Sequence, residues 1–176
     1  MRTAGKSPLP KLARDLSRIL EQEILTGKKL LANARAMTEA ITRNDTARME
    51  TLGSEGDAIM TQQTLIGLRR EEAVLALAAG LGYVVEDPHR VPPLSEMAMR
   101  LPLPETRRLL QLRQQILDLQ RLLEETQARN RALLENALAC VHFSIDLITQ
   151  SALKPAAYGT NPNTVGAPTF YIDQKC

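Results

Sequence analysis

The chain has 176 residues, 22 basic and 20 acidic side chains and a formal net charge of +2. Apolar residues make up 44%, enough for one core, but aromatics are only 3% and Trp is absent, so Leu, Ala and Met must fill the interior and helices are favoured over strands. The scarcity of aromatics argues against stacking on single-stranded nucleic acid, and the interspersed charges form no basic run suited to DNA, RNA or an anionic membrane.

Pro8 and Pro10 mark a helix start, because proline is tolerated in a first turn. Leu12, Leu16, Ile19, Leu20, Ile24, Leu30, Met37 and Ile41 keep one face apolar, which predicts a helix over about 10–43. Asn44-Asp45 supplies a turn and an N-cap for a second helix, about 46–81, with Met49, Leu52, Ile59, Ile66, Ala73 and Leu77 near one stripe. Gly53, Gly56 and Gly67 interrupt that stripe; close packing against a neighbour would explain them, and fraying would follow from them equally. The apolar run Ala73–Val85 is too short for a membrane span, and Gly80 and Gly82 make it a helix end. The N-terminus lacks the apolar stretch of a signal peptide. A proline-rich connector follows, with a short helix near 94–99 anchored by Leu94 and Leu101.

From Pro104 to about residue 152 the pattern is strongest. Leu109, Leu112, Ile116, Leu119, Leu123, Thr126, Asn130, Leu133, Ala137, Cys140, Ser144, Leu147 and Ser151 alternate by three and four without Gly or Pro. This is a coiled-coil seam, and a helix of that length spans roughly 70 Å. The expected fold is all-α, an elongated antiparallel helical bundle or coiled coil with one very long C-terminal helix and the first two helices packed along it. Residues 1–153 form the bundle domain, and 154–176, rich in Pro, Gly, Asn and Thr, form a flexible tail. Cys140 on the seam reads as a small core residue. Asn130 on the seam can fix register, mark a kink or hold a water.

One stripe over, the same helix reads Arg113, Leu117, Gln120, Glu124, Gln127, Arg131, and then Leu134, Leu138, Val141, Ile145, Ile148, Ala152. The spacing persists while the chemistry turns apolar, so a second seam opens at Leu134. An intramolecular helix, a second copy, or an amphipathic helix from another protein could cover it. Catalytic patterns are lacking. His89 and His142 belong to no HExxH or ExxH pair, and no phosphate-binding glycine loop occurs. The two cysteines, Cys140 and Cys176, form no CxxC pair, which fits a reducing compartment. No metal, no cofactor and no enzymatic activity are expected.

Taken in order, the two amphipathic helices, Gly80-Leu81-Gly82, Leu94-Ser95-Glu96, Leu101-Pro102, Gln127-Ala-Arg-Asn130-Arg-Ala-Leu133-Leu134-Glu-Asn136 and Tyr158-Gly159 resemble the FlgN family of flagellar export chaperones over about residues 10–160. The resemblance implies a cytoplasmic chaperone for the C-terminal amphipathic segments of hook-associated (hook–filament junction) proteins. It would prevent their premature assembly and deliver them to the type III export gate. Given that role, the second stripe predicts Leu134, Leu138, Val141, Ile145 and Ile148, with Asn130, as the client-binding residues; similar family positions suggest Tyr158 for docking to export-gate components, the alternative being an aromatic that folds back onto the bundle. Partners are then flagellar proteins, with no nucleic acid and no membrane insertion. The rival reading is a self-associating structural coiled-coil scaffold whose second stripe is covered by its own copy.

Overall fold

The computed structural model describes residues 9–83 and 91–153, with the side chains of 151–153 left aside. All its elements are helices: α1 (Leu9–Thr42), α2 (Thr46–Gly80), α3 (Leu94–Ala98) and α4 (Leu103–Leu153). The chain divides into two compact units at Ala137/Leu138. The expected tail, 154–176, lies outside the described residues.

Within the first unit, α1 buries Ala13, Leu16, Leu20, Ile24, Leu30, Leu31, Ala34 and Ala40. It ends in a reversal set by local chemistry. Asn44 adopts the left-handed conformation at φ 53°, which Asn tolerates better than most residues. Its N–H bonds Ile41 O at 3.0 Å, and the Asp45 N–H bonds Ala40 O at 2.9 Å, the paired bonds of a Schellman motif. Asp45 also opens α2: its side chain accepts from the Arg48 N–H at 2.9 Å, satisfying a donor that the first turn leaves free. The end of α2 repeats the device, with Gly82 at φ +85° and the Tyr83 N–H on Ala78 O at 3.1 Å.

The partners along α1 fix the topology. Asn33 Nδ2 donates to Leu52 O at 2.9 Å and Glu23 meets Arg70 at 2.9 Å, so α1 and α2 are antiparallel. Glu21 meets Arg108 at 2.5 Å and Thr38 meets Asn130 at 2.6 Å, so α4 runs parallel to α1. This is the up-down-up order of an antiparallel bundle. Its main core gathers Leu16, Leu20, Ile24, Leu77, Ala98, Leu101, Leu109 and Leu112. Leu94 packs against that cluster, and the buried Thr106 hydroxyl donates to Ala98 O at 2.7 Å, tying α3 to the start of α4. Tyr83, just after α2, reaches α3 and Arg100 beyond its end. Its hydroxyl donates to Glu96 Oε1 at 3.1 Å, and the Arg100 guanidinium lies 4.6 Å from its ring centroid.

The glycines of α2 divide. A Cβ on Gly56 would meet Asn33 Oδ1 at 3.2 Å, whereas Gly53 and Gly67 have nothing within 4 Å. Close packing therefore explains Gly56 and, at the end of α2, Gly80, whose Cβ would lie 2.9 Å from Leu12 Cδ1, but not Gly53 or Gly67. The tightest approach is at Gly27 of α1, where a Cβ would lie 2.6 Å from Leu119 Cδ2; the missing side chain makes the hole that the Leu119 knob fills.

One charged group is sunk in the α1–α2 interface. The Glu23 side chain is 6% exposed, Arg70 reaches only Oε1, and Oε2 has no partner. Burial pushes the Glu23 carboxyl above its ordinary range, against the opposing pull of Arg70. A raised acid pKa means that the native state takes up its proton before the unfolded chain does. Stability from this group therefore grows as pH falls through the raised value and is lost as pH rises through it. Glu23→Gln is expected to be at least as stable as the parent at pH 7 and to lack that gain on acidification. Urea denaturation at pH 7 and pH 5 checks this, and a clear loss at pH 7 would contradict it.

Candidate functional site

Burial along α4 follows the seam and then stops. Between Gln111 and Leu133 the positions that are buried or half-buried are Leu112, Ile116, Leu119, Leu123, Thr126, Asn130 and Leu133. From Leu134 to Gln150 every side chain is exposed. Helix register supplies the reason within the first unit. Thr38 stands level with Asn130, so Thr42, the last residue of α1, stands one turn further on, level with residue 134.

Two expectations are corrected by this. Cys140 is not a core residue but an exposed free cysteine. Asn130, expected among the client-binding residues, faces α1 instead. It is 9% exposed, its Nδ2 donates to Ala34 O at 2.8 Å and its Oδ1 accepts from the Thr38 hydroxyl at 2.6 Å. Both polar atoms are used inside the chain, which fits a residue that sets the register of α4 on α1.

The second unit begins at Leu138, and its described part is helix throughout. Leu138 is 59% exposed, Val141 56%, Ile145 53% and Ile148 66%, while Leu134 at the end of the first unit is 43% exposed. Phe143 and Leu147 are exposed as well. Placed at 100° per residue, Leu147, Cys140, Ala137, Ile148, Val141, Ile145 and Leu138 lie in an arc of roughly 180° interrupted only by Ser144, and Asn136 separates Phe143 from it. Glu135, Asn136, His142, Asp146, Thr149 and Gln150 lie on the other side. Sequence periodicity picked out the stripe of Leu134, Leu138, Val141, Ile145 and Ile148 but passed over Phe143, which flanks the other seam. Its rarity was the available signal, since the chain has only 2 Phe and 3 Tyr. Tyr158 lies outside the described residues.

A helix with an apolar face this broad belongs against a partner. By length and composition alone, α4 contains one stretch that could cross a membrane, with none of it buried. The C-terminal part of α4 nonetheless carries Glu135, Asn136, His142 and Asp146, and each acid would cost about 2.5–3.5 kcal/mol at a bilayer centre. Elsewhere the chemistry is sparse. Among the described residues no three His, Cys, Asp or Glu side chains converge as metal ligands. A shallow groove floored by Leu20, Val74, Leu94 and Ile116 has Arg70 and Arg113 among its lining residues but no acid, base or nucleophile. Among the described residues the feature that asks for an explanation is the exposed apolar face at the end of α4.

Comparison with known proteins fits this geometry. No curated protein and no solved structure matches the chain. The family model described as FlgN protein matches residues 12–166, a span that takes in α2, α3, α4 and all but the first three residues of α1. The chain belongs to the FlgN family.

Proposed function

We propose that this chain, as a flagellar export chaperone of the FlgN family, acts in the cytoplasm on the C-terminal amphipathic segments of hook-associated proteins, prevents their premature assembly and delivers them to the export gate. The observation that carries the reading is the exposed apolar face of α4, with Leu134, Leu138, Val141 and Ile145 at its centre, on a helix whose first half is seated against α1. Burying each large aliphatic is worth about 1.5–3 kcal/mol. An amphipathic client segment, disordered when free, gains that energy against the ordering it must undergo. Helix-in-groove recognition uses anchors at this i, i+3, i+4, i+7 spacing, and the acids on the polar strip favour a protein occupant over lipid.

Light scattering tests the reading. A hook-associated protein mixed with the chain is expected to form a complex of defined mass, and deleting the client's C-terminal segment is expected to abolish it. A chain that is already a stable oligomer and stays so in the presence of client would instead support the self-associating scaffold. Tyr158 is proposed as an export-gate contact. Tyr158→Ala is expected to bind client normally yet reduce client export in cells, and undiminished export would remove that role.

A further inference from the structure

We infer that the groove between α1 and α2 lined by Leu25, Thr26, Lys29, Leu65, Ile66 and Arg69 docks an amphipathic helix of another protein, one whose apolar stripe is flanked by acidic residues. The groove is built by these two helices alone, so the inference is independent of the client reading of α4.

Each helix contributes its lining by the same rule. From α1 come Gln22, Leu25, Thr26 and Lys29, and from α2 come Gln62, Leu65, Ile66 and Arg69. Both sets are spaced i, i+3, i+4, i+7, and both read glutamine, leucine, a buried residue and a cation. The buried members, Thr26 at 3% and Ile66 at 5% exposed, form the floor. The leucines form the walls, Leu25 at 59% and Leu65 at 55% exposed. Two half-bare aliphatics along one concave strip differ from the single leucines scattered over any protein surface. Because α1 and α2 are antiparallel, each end of the groove carries one cation, Arg69 at the Gln22 end and Lys29 at the Gln62 end. Seven residues of helix separate Gln22 from Lys29, about 10 Å.

Charge selects the occupant. Residues 24–38 of α1 and 58–70 of α2 hold Lys28, Lys29, Arg35, Arg69 and Arg70 and no Asp or Glu. Glu23 takes Arg70, whereas among the described residues Lys29 and Arg69 make no ion pair. A second copy docking by the same face would set these cations against their own counterparts, and like charges in contact disfavour that. A nucleic acid strand would find no aromatic platform here. A lipid surface suits apolar residues that stand proud of a basic face, but Thr26 and Ile66 are recessed between two helices. A third helix fits. Its apolar ridge fills the trough in the manner of helix-in-groove recognition, and acids on its opposite flanks, about two turns apart, reach Lys29 and Arg69.

Methyl spectra of the full chain titrated with a synthetic helical peptide test the inference. The probe carries a leucine stripe with glutamates on both flanks, and its control has lysine at every glutamate position. The glutamate peptide is expected to shift the Leu25 and Leu65 methyl signals, and added salt to weaken it. Lys29→Glu with Arg69→Glu should weaken that peptide about tenfold or more and make the chain prefer the lysine peptide. Both cations are exposed, so the fold should survive; Lys29→Gln with Arg69→Gln, which adds no charge, should give a smaller loss. No shift at Leu25 and Leu65 with millimolar peptide overturns the inference. So does equal affinity for the two peptides, or a response confined to Leu138 and Ile145. Phosphatidylglycerol vesicles that shift these methyls where the glutamate peptide does not would assign the groove to lipid and overturn it. A concentration-dependent rise in mass that the Lys29→Glu, Arg69→Glu pair abolishes would assign it to a second copy and overturn it equally. None of these readouts involves a hook-associated protein, so the proposed function is decided separately.

Discussion

Leu138→Asp combined with Ile145→Asp is expected to abolish client binding while leaving helix content intact. Both side chains are more than half exposed in the free chain, at 59% and 53%, so an aspartate at either position stays hydrated. The cost to the free protein is then the difference in helix propensity, about 0.5 kcal/mol per site. Under a client helix the balance reverses. Each substitution removes about 1.5–3 kcal/mol of aliphatic burial and adds the desolvation of a carboxylate without a partner. The burial loss alone amounts to roughly 3–6 kcal/mol for the pair, a factor of about 10² to 10⁴ in affinity. Isothermal titration calorimetry reads the loss, and circular dichroism at 222 nm confirms that the helix survives. Unchanged affinity would reject the assignment of this face. Should the aspartates disturb α4, Leu138→Ala with Ile145→Ala keeps a strong helix former at each site and should give a graded weakening. Persistence of full affinity in that variant would reject the face as well.

The periodicity of α4 made half of the site legible and hid the other half. A three-four alternation names the positions that face a partner helix, and Leu109, Leu112, Ile116, Leu119, Leu123, Thr126, Asn130 and Leu133 are all found buried or half-buried. The same alternation runs on through Ala137, Cys140, Ser144 and Leu147, all of them exposed. Repetition is a property of one helix; cover depends on the length and register of another, and nothing in the sequence of α4 records that α1 ends level with residue 134. Cys140 was therefore read as core. Asn130 shows the reverse case. Its place on the seam suggested a register role, and the bonds to Ala34 and Thr38 show which helix it registers against. The Schellman reversals at Asn44 and Gly82 were readable because turn chemistry is local. Glu23 was not, since its partner Arg70 lies 47 positions away and no local pattern sets a buried glutamate apart from a solvated one. The second apolar stripe could be read at once because a polar row turns apolar at Leu134, a change visible in composition alone.

Leu109→Ala should produce the opposite outcome to the aspartate pair, with a large loss of stability and no loss of binding. Leu109 is completely buried, in the cluster where α4 meets Leu16 of α1, Leu77 of α2 and Ala98 of α3. Truncation there loses the transfer energy of the removed carbons and leaves a cavity that interdigitated neighbours refill only in part, a cost of about 2–5 kcal/mol. That is a large share of the roughly 5–15 kcal/mol that holds a domain together. Leu147 occupies an equivalent seam position but is 59% exposed, so Leu147→Ala should change stability by less than about 0.5 kcal/mol. Urea denaturation followed by circular dichroism separates the two, and a loss at Leu109 no greater than that at Leu147 would contradict the placement of the core. Below its unfolding transition the Leu109→Ala chain still presents Leu138, Val141 and Ile145, and it should bind client with near-parental affinity. One variant that keeps its fold and loses binding, beside another that keeps binding and loses stability, would assign the two jobs of α4 to different stretches of the same helix: its first turns anchor it in the bundle, and its last turns hold the client.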